Sequence, residues 1–421
     1  MLRVPTGIVR TSRIRELGHT IGDLRPGATN TLIDVRGVRV GQETIRDGHS
    51  VFSGVTAIVV DGVSPGTPTR AGIFVGNGYG KFVGSTQVQE LGLLETPVAL
   101  TSTLSAFRAA DAIVTWVLRE YGSAVTSINP VVGEVNDSWL SSSDRRPVRV
   151  EHVLRAIDGA SSEPVEMGNV GGGTGACALG FKGGVGSSSR VISVGNEDVT
   201  IGALVQINMD GRLRGPLGPV DPQSWGIHPA GPANADGSCV VVVAVDAPLD
   251  SNILRRMAAR GVFALARIGA RFSHGSGDYG LAFTTRVNGS VAGLSDKEMS
   301  LTFEATMDAV EEAVLDALLA ATTVKADNGR AAYALPIESV ARSAARAMRR
   351  RRAGAAMMRS RRSTVSMAVG LSAGAKLFRR STSAVTSRGW PGIGSVAPAA
   401  ARRSNSALSI LAGRGGCSVR S

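Results

Sequence analysis

Along residues 1–340, short β-branched runs alternate with stretches whose apolar residues recur every three or four positions. Runs at 56–60, 72–75, 97–100, 131–134, 200–208, 238–245 and 281–285 read as strands. Stretches 105–121, 251–269 and 303–322 read as helices. The first places Ile113, Trp116, Val117 and Tyr121 on one face. The second opens on Ser251 as a capping candidate and lines up Leu254, Met257, Ala258, Gly261 and Leu265. The third aligns Phe303, Met307, Val310, Val314 and Leu318, which turns Glu311 and Glu312 toward water. No repeat of solenoid length appears. Strands and helices mixed in this way predict a layered α/β or α+β fold. The segment 215–237, rich in Gly, Pro, Ser, Asn and Asp, either divides this body in two or interrupts one domain. Residues 1–340 show no other break in composition, which favours a single domain.

Charge changes the picture at one end. The net charge of +12 suggests an anionic partner, but 17 of the 46 Lys and Arg fall in residues 341–421, which hold no Asp or Glu. The remaining 29 face 34 acidic residues, so the body stands at −5 and the tail alone makes the chain basic. That tail has no sustained period and few large apolar residues, and is expected to be disordered. It reads as an extension or a frame-shifted end, not as a specific nucleic-acid or membrane element. No stretch reaches the ~18–20 apolar residues that span a membrane. The opening MLRVPTGIVRTSRIRELG lacks the apolar core of a secretory signal. Three scattered cysteines (Cys177, Cys239, Cys417) suit neither a disulfide framework nor a zinc site, so a cytoplasmic location is expected.

The stretch with the most chemical content is GPANADGSCVVVVAVDAPLD at 231–250, where a loop ends abruptly at Gly237-Ser238 and a Val-rich strand begins. A tight turn explains the pair without any function. The alternative is an N→O acyl shift, in which the Ser238 hydroxyl attacks the carbonyl of Gly237 and hydrolysis then cuts the chain. Glycine suits the position before the attack because no side chain blocks it. The product would begin at Ser238 with a hydroxyl and an α-amine, whose pKa of about 7.7–8.0 in model compounds suits a general base. Nucleophile and base would then share one residue. Strand alternation sends Cys239 to the opposite face, as a small core residue.

The surrounding motifs resemble the L-aminopeptidase/D-esterase family, which is self-cleaving and includes the β-peptidyl aminopeptidases. The likeness covers residues 13–336 through RIRELGHTIG (13–22), GVTAIVV (54–60), LGLLETPVALTSTLS (91–105), PVVGEVND (130–137), GGGTGACALGFKGGVGSSSR (171–190), ALVQINMDG (203–211), DGSCVVVVAVDAPL (236–249) and HGSGDYGLAFTT (274–285). The resemblance implies a four-layer α/β/β/α sandwich of the N-terminal-nucleophile-hydrolase type. It implies fragments 1–237 and 238–421 that stay associated, a homo-oligomer, and removal of N-terminal residues from small peptides, amides and esters without metal or cofactor. It casts Ser276 and Asp278 as the pair that orients the Ser238 amine or hydroxyl, and Asn208 as oxyanion donor.

Glu134, in an apolar run, needs a partner, and a substrate ammonium group or a structural ion pair would each serve. Asn136 and Asp137 shape the adjacent turn, with Asn136 a candidate for substrate contact, and Asn77 is a candidate pocket residue in GNGYGK (76–81). GGGTG (171–175) lacks the order of a phosphate or dinucleotide loop and, like FKGG (181–184), is expected to let backbones approach closely near the pocket. The five histidines form no metal-binding pair and read as structural. Asp316 stands where the family usually has Asn, adding a charge to a helix face, and the match fades after 338. An acyltransferase of the same self-cleaving type and a non-catalytic glycine-rich binding protein are the competing readings.

Overall fold

The computed structural model describes residues 12–216, 219–231, 237–286 and 293–338. The basic stretch 341–421 lies outside them. In chain order the strands are β1 (Val38–Arg46), β2 (Phe52–Val60), β3 (Thr69–Gly78), β4 (Leu93–Leu94), β5 (Val98–Ser102), β6 (Val131–Val135), β7 (Cys177–Ala178), β8 (Phe181–Lys182), β9 (Gly184–Val194), β10 (Glu197–Asn208), β11 (Ser238–Val245), β12 (Gly277–Thr284), β13 (Val324–Lys325) and β14 (Ala331–Ala332). The α-helices are α1 (Ser85–Leu91), α2 (Ala106–Tyr121), α3 (Val150–Asp158), α4 (Ser251–Ile268) and α5 (Asp296–Ala320).

Two sheets carry the fold, one in the order β1-β2-β5-β6 and one in the order β4-β3-β12-β11-β10-β9. Ile58, Leu100 and Val131 of the first meet Leu204, Val240, Val242 and Leu281 of the second in one buried cluster, so the sheets stack face to face. The outer face of the first packs on α2 and α3 through Val55, Ala99, Ile113, Val117 and Val153. The outer face of the second packs on α4 and α5 through Val241, Val243, Leu254, Val310 and Leu318. The result is the expected α/β/β/α sandwich. Because both faces of β11 are covered, all eight of its residues are buried and it reads as a continuous apolar run. It pairs antiparallel with β10 and parallel with β12, with α4 as the crossover between β11 and β12.

Strand β9 escapes a periodicity reading because its first residues are Gly-Val-Gly-Ser-Ser-Ser. Their smallness is what α5 requires. A Cβ on Gly186 would lie 1.9 Å from the Ala313 carbonyl oxygen, and Ser188 Oγ donates to the Ala309 carbonyl at 2.6 Å. The 3-10 turn Gly171–Gly173 likewise wedges between the sheets, where a Cβ on Gly172 would sit 2.0 Å from Gln206 Oε1 and 2.6 Å from the Leu100 carbonyl oxygen.

Three local expectations change. Glu312 does not face water: it is fully buried, with Arg190 and Arg15 each at 2.6 Å and the Asn30 amide at 2.5 Å. Burial pushes its carboxyl up, but these donors outweigh burial and hold it below its ordinary value. Tyr121 lies 42% exposed at the end of α2, edge-on to the Trp116 ring, because the apolar stripe of that helix is carried by Ala109, Ile113 and Val117. Helix α4 is capped by Asp250, which accepts from the Ile253 N–H at 2.7 Å, while Ser251 Oγ donates to the Gly92 carbonyl. Asp316 is buried and answered by Arg13 Nε at 2.9 Å and the Ile14 N–H at 2.7 Å.

Candidate active site

Ser238, the first residue of β11, is the direct register partner of Asn208, the last residue of β10. Alternation places both on the face turned to the other sheet, the face carrying Val240 and Leu204, while Cys239 joins the cluster under the helices. Side chains opposed in this way stand ~4.5–5.5 Å apart at Cβ. Both are nearly buried, at 4% and 6% exposure. The orientation of the Asn208 amide is fixed by its neighbour: Oδ1 accepts from the Cys177 N–H at 2.8 Å, which leaves the NH₂ group as the end available to another partner.

Gly237 precedes the nucleophile candidate with its carbonyl accepting from the Gly277 N–H at 3.1 Å. A Cβ there would lie 2.8 Å from the Asp210 nitrogen and 3.0 Å from Met209 Cα, so the backbone itself excludes a side chain. A cavity of about 120 Å³ opens beside this bond, lined by Gly237, Asn208, Met209, Asn136, Trp139 and Arg330 among others.

On the other flank of β11, Ser276 Oγ donates to Asp278 Oδ1 at 2.9 Å, and the second carboxylate oxygen is buried without a partner. Burial pushes the Asp278 carboxyl up to about 6, against the pull of the Ser276 hydroxyl. Asp278 is in register with Cys239, and Gly277 with Ser238, so the acid stands on the face turned to α4 beside the start of β11. Asn77 does not contribute its amide to the cavity. Its nitrogen donates to the carbonyls of Ser273, His274 and Ser276, holding the loop that carries Ser276.

Glu134 is 2% exposed on β6. Oε1 accepts from the Lys81 N–H at 2.9 Å, with Lys81 Nζ 3.8 Å away, and Oε2 is buried without a partner. Burial raises its pKa, opposed by the Lys81 N–H and the Thr103 hydroxyl. A Cβ on Gly80 would sit 3.1 Å from Glu134 Oε1 and 3.2 Å from Gly277 Cα, and Gly277 is paired with Ser238. The carboxylate is thereby brought to the β12 side of Ser238. Asn136 Oδ1 accepts from the Ser138 N–H at 3.1 Å, shaping the turn while lining the cavity. Asp137, bonded to Ser53 Oγ at 2.7 Å, is buried and pushed up to about 7 by that burial.

Trp139 and Arg330 carry no motif signal. The hairpin of β13 and β14 brings Arg330 4.6 Å above the Trp139 ring, a contact between residues 191 positions apart in the chain. Among the described residues, no group of three or more His, Cys, Asp or Glu is placed to hold a metal ion, and no helix is long and apolar enough to cross a membrane.

Comparison with known proteins gives the family and the fold. The model of peptidase family S58 matches residues 30–332. The chain is 37% identical over 356 residues to the beta-peptidyl aminopeptidase BapA of Sphingosinicella microcystinivorans, covering 77% of this chain and 89% of that protein. A beta-aminopeptidase from Burkholderia sp. superposes with a TM-score of 0.72 at 35% identity, over 79% of this chain and 98% of that one. The L-aminopeptidase D-ala-esterase/amidase of Ochrobactrum anthropi, described as a prototype for the serine aminopeptidases and a variant of the Ntn hydrolase fold, gives 0.70 at 32% identity, over 78% and 96%.

Proposed function

The chain belongs to peptidase family S58 and is a hydrolase of aminopeptidase type, and from that premise we propose that Ser238 is its nucleophile, released by self-cleavage after Gly237. In the first stage Ser238 Oγ attacks the Gly237 carbonyl carbon, the acyl group moves from nitrogen to oxygen, and water hydrolyses the ester. Fragment 238–421 then begins with a free α-amine. Residues 1–340 act as one catalytic domain in which fragments 1–237 and 238–421 stay associated.

In the second stage that amine takes the hydroxyl proton as Oγ attacks the substrate carbonyl. The Asn208 NH₂ donates to the oxyanion, the ammonium returns the proton to the leaving amine or alcohol, and water clears the acyl group. Ser276 and Asp278 hold the ammonium form of the Ser238 amine. Glu134, with a buried oxygen lacking a partner, receives the substrate's own ammonium group. Asn136 lines the space next to the reacting bond. Substrates are small peptides, amides or esters with a free N-terminal amine, of L-, D- or β-residues. The buried, unpaired thiols of Cys177 and Cys239 suit work in the cytoplasm, as a homo-oligomer.

The observation that supports this reading most is the pairing of Ser238 with Asn208 in the ladder, the amide oriented by the Cys177 N–H. Intact mass and N-terminal sequencing test it. Wild type should give two pieces, the second beginning Ser-Cys-Val-Val, and Ser238→Ala one. A single uncut, inactive chain for both would overturn it.

A further inference from the structure

Lys182 ends β8 with no part of its side chain exposed. Nζ donates to three backbone carbonyls, of Ala176 at 2.7 Å, Gly183 at 2.9 Å and Gly173 at 3.2 Å. All three ammonium protons are thereby used, and among the described residues no carboxylate forms an ion pair with it. A buried ammonium without a counter-charge costs several kcal/mol. Burial pushes this one down to about 7, with Cys177, Arg46 and Asp137 as its charged or titratable neighbours. Tying a glycine-rich turn together needs only neutral donors, so the charge calls for its own explanation.

The peptide group it touches supplies one. The Ala176 carbonyl and the Cys177 N–H are two ends of a single peptide unit. Lys182 binds the carbonyl end at 2.7 Å, and the N–H end donates to Asn208 Oδ1 at 2.8 Å. A cation at the carbonyl oxygen polarises the unit and strengthens its N–H as a donor. That draws electron density from the Asn208 carbonyl, so the NH₂ at the other end of the same amide becomes a better donor and is held in one orientation.

We propose that Lys182 is a positioning residue for the reaction, acting through the 176–177 peptide to orient and polarise the side-chain amide of Asn208. This rests on the assignment of Asn208 as oxyanion donor. Its effect is confined to the transition state, because the oxyanion forms only there.

A double-mutant cycle on the cut enzyme tests it, with kcat and KM measured on an aminoacyl amide for wild type, Lys182→Met, Asn208→Ala and the pair. Lys182→Met should lower kcat about tenfold and leave KM within about twofold, and it should add nothing once Asn208 is gone. An equal tenfold loss in the Asn208→Ala background, or a loss in KM alone, overturns the proposal. An Asn208→Ala enzyme with unchanged kcat instead overturns the oxyanion reading beneath it. Lys182→Gln, which keeps neutral donors, repeats the cycle. If both uncharged variants fail to fold or to cut, Lys182 belongs to assembly of the fold and the proposal fails.

Discussion

Asn208 and Ser238 face each other across the β10–β11 ladder as register partners, both turned toward the opposing sheet. Neither can shift without moving a strand in the middle of a six-stranded sheet, so their separation is set by the pitch of the sheet and not by a loop. Asn208→Ala removes the donor and leaves the Cys177 N–H without its acceptor. We expect kcat to fall ~10²–10³-fold, with a stability loss of ~1–3 kcal/mol from the orphaned N–H. Steady-state kinetics and a melting curve check both. A change in kcat below threefold would remove Asn208 from the mechanism.

Glu134 is expected to read the substrate amine. Glu134→Gln keeps the acceptor for the Lys81 N–H but removes the charge. A charge-assisted hydrogen bond is worth ~1.5–3 kcal/mol, so kcat/KM for an aminoacyl amide should drop ~10–100-fold. The same amide with hydrogen in place of the amine should be hydrolysed equally slowly by both enzymes. Equal losses on the two substrates would point to a purely structural glutamate.

The Asp278 carboxyl, raised by burial to about 6, gives a pH dependence of known sign. Ionised, it can hold the ammonium formed at Ser238, and that cation pulls the carboxyl below the value it has in the uncut chain, so the acid limb of activity that Asp278 sets should lie below pH 6. Asp278→Asn should lower kcat and abolish that limb. Its folded pKa lies above the ordinary 3.8, so ionisation works against the fold, and stability declines as pH rises between those values. In the uncut Ser238→Ala background, the Asn variant should therefore gain in melting temperature between pH 4 and 6.5, by at most ~3 kcal/mol in free energy. A difference that is flat with pH would contradict the buried, under-bonded carboxylate.

Gly172 holds the wedge between the sheets. Gly172→Ala would drive a Cβ onto Gln206 Oε1 and the Leu100 carbonyl, and Gln206 is the residue whose amide crosses to the Thr101 carbonyl of the other sheet. Overpacking of this kind costs ~1–3 kcal/mol or more. Gly66→Ala, whose Cβ would meet nothing closer than 3.9 Å, is the control and should leave the melting temperature within about a degree. Equal melting temperatures for the two variants would refute the wedge.

The parts of this architecture that were legible in sequence are those governed by burial on both faces or along one helical stripe. The Val run of β11 and the 3.6-residue stripe of α4 state their environment directly. The Gly-Ser stretch of β9 does not, because close approach by a helix selects small residues that look like loop. Glu312 departs from its expected exposure for a related reason: on α5 it occupies a polar position in the periodicity, but its partners Arg15 and Arg190 come from chain 297 and 122 residues away. At the site, Ser238, Gly237 and Asn208 were marked by their place at strand ends and by resemblance. Asn77 is marked only by its glycine-rich stretch GNGYGK, and its amide is committed to the 273–276 carbonyls, which only the packed loop reveals. Trp139, Arg330 and Lys182 act across turns and hairpins whose geometry has no periodic signature.

The order of the larger sheet has a consequence for the molecule's history. β4 and β3 come before residue 237, β12 and β11 after it, and β10 and β9 before it again, so the later length of chain fills the middle of a sheet whose two sides belong to the earlier one. The proposed cut at 237 would turn this single-chain sheet into a heterodimer whose interface is two interior ladders. Separating the halves would bare the β3-facing edge of β12 and the β10-facing edge of β11, which is unfolding under another name. Once apart, they would have to meet again by diffusion and carry the entropy of association that the uncut chain never faced. Assembly would then belong to the precursor, and the cut form would be held by a topology it had lost the simplest means of rebuilding.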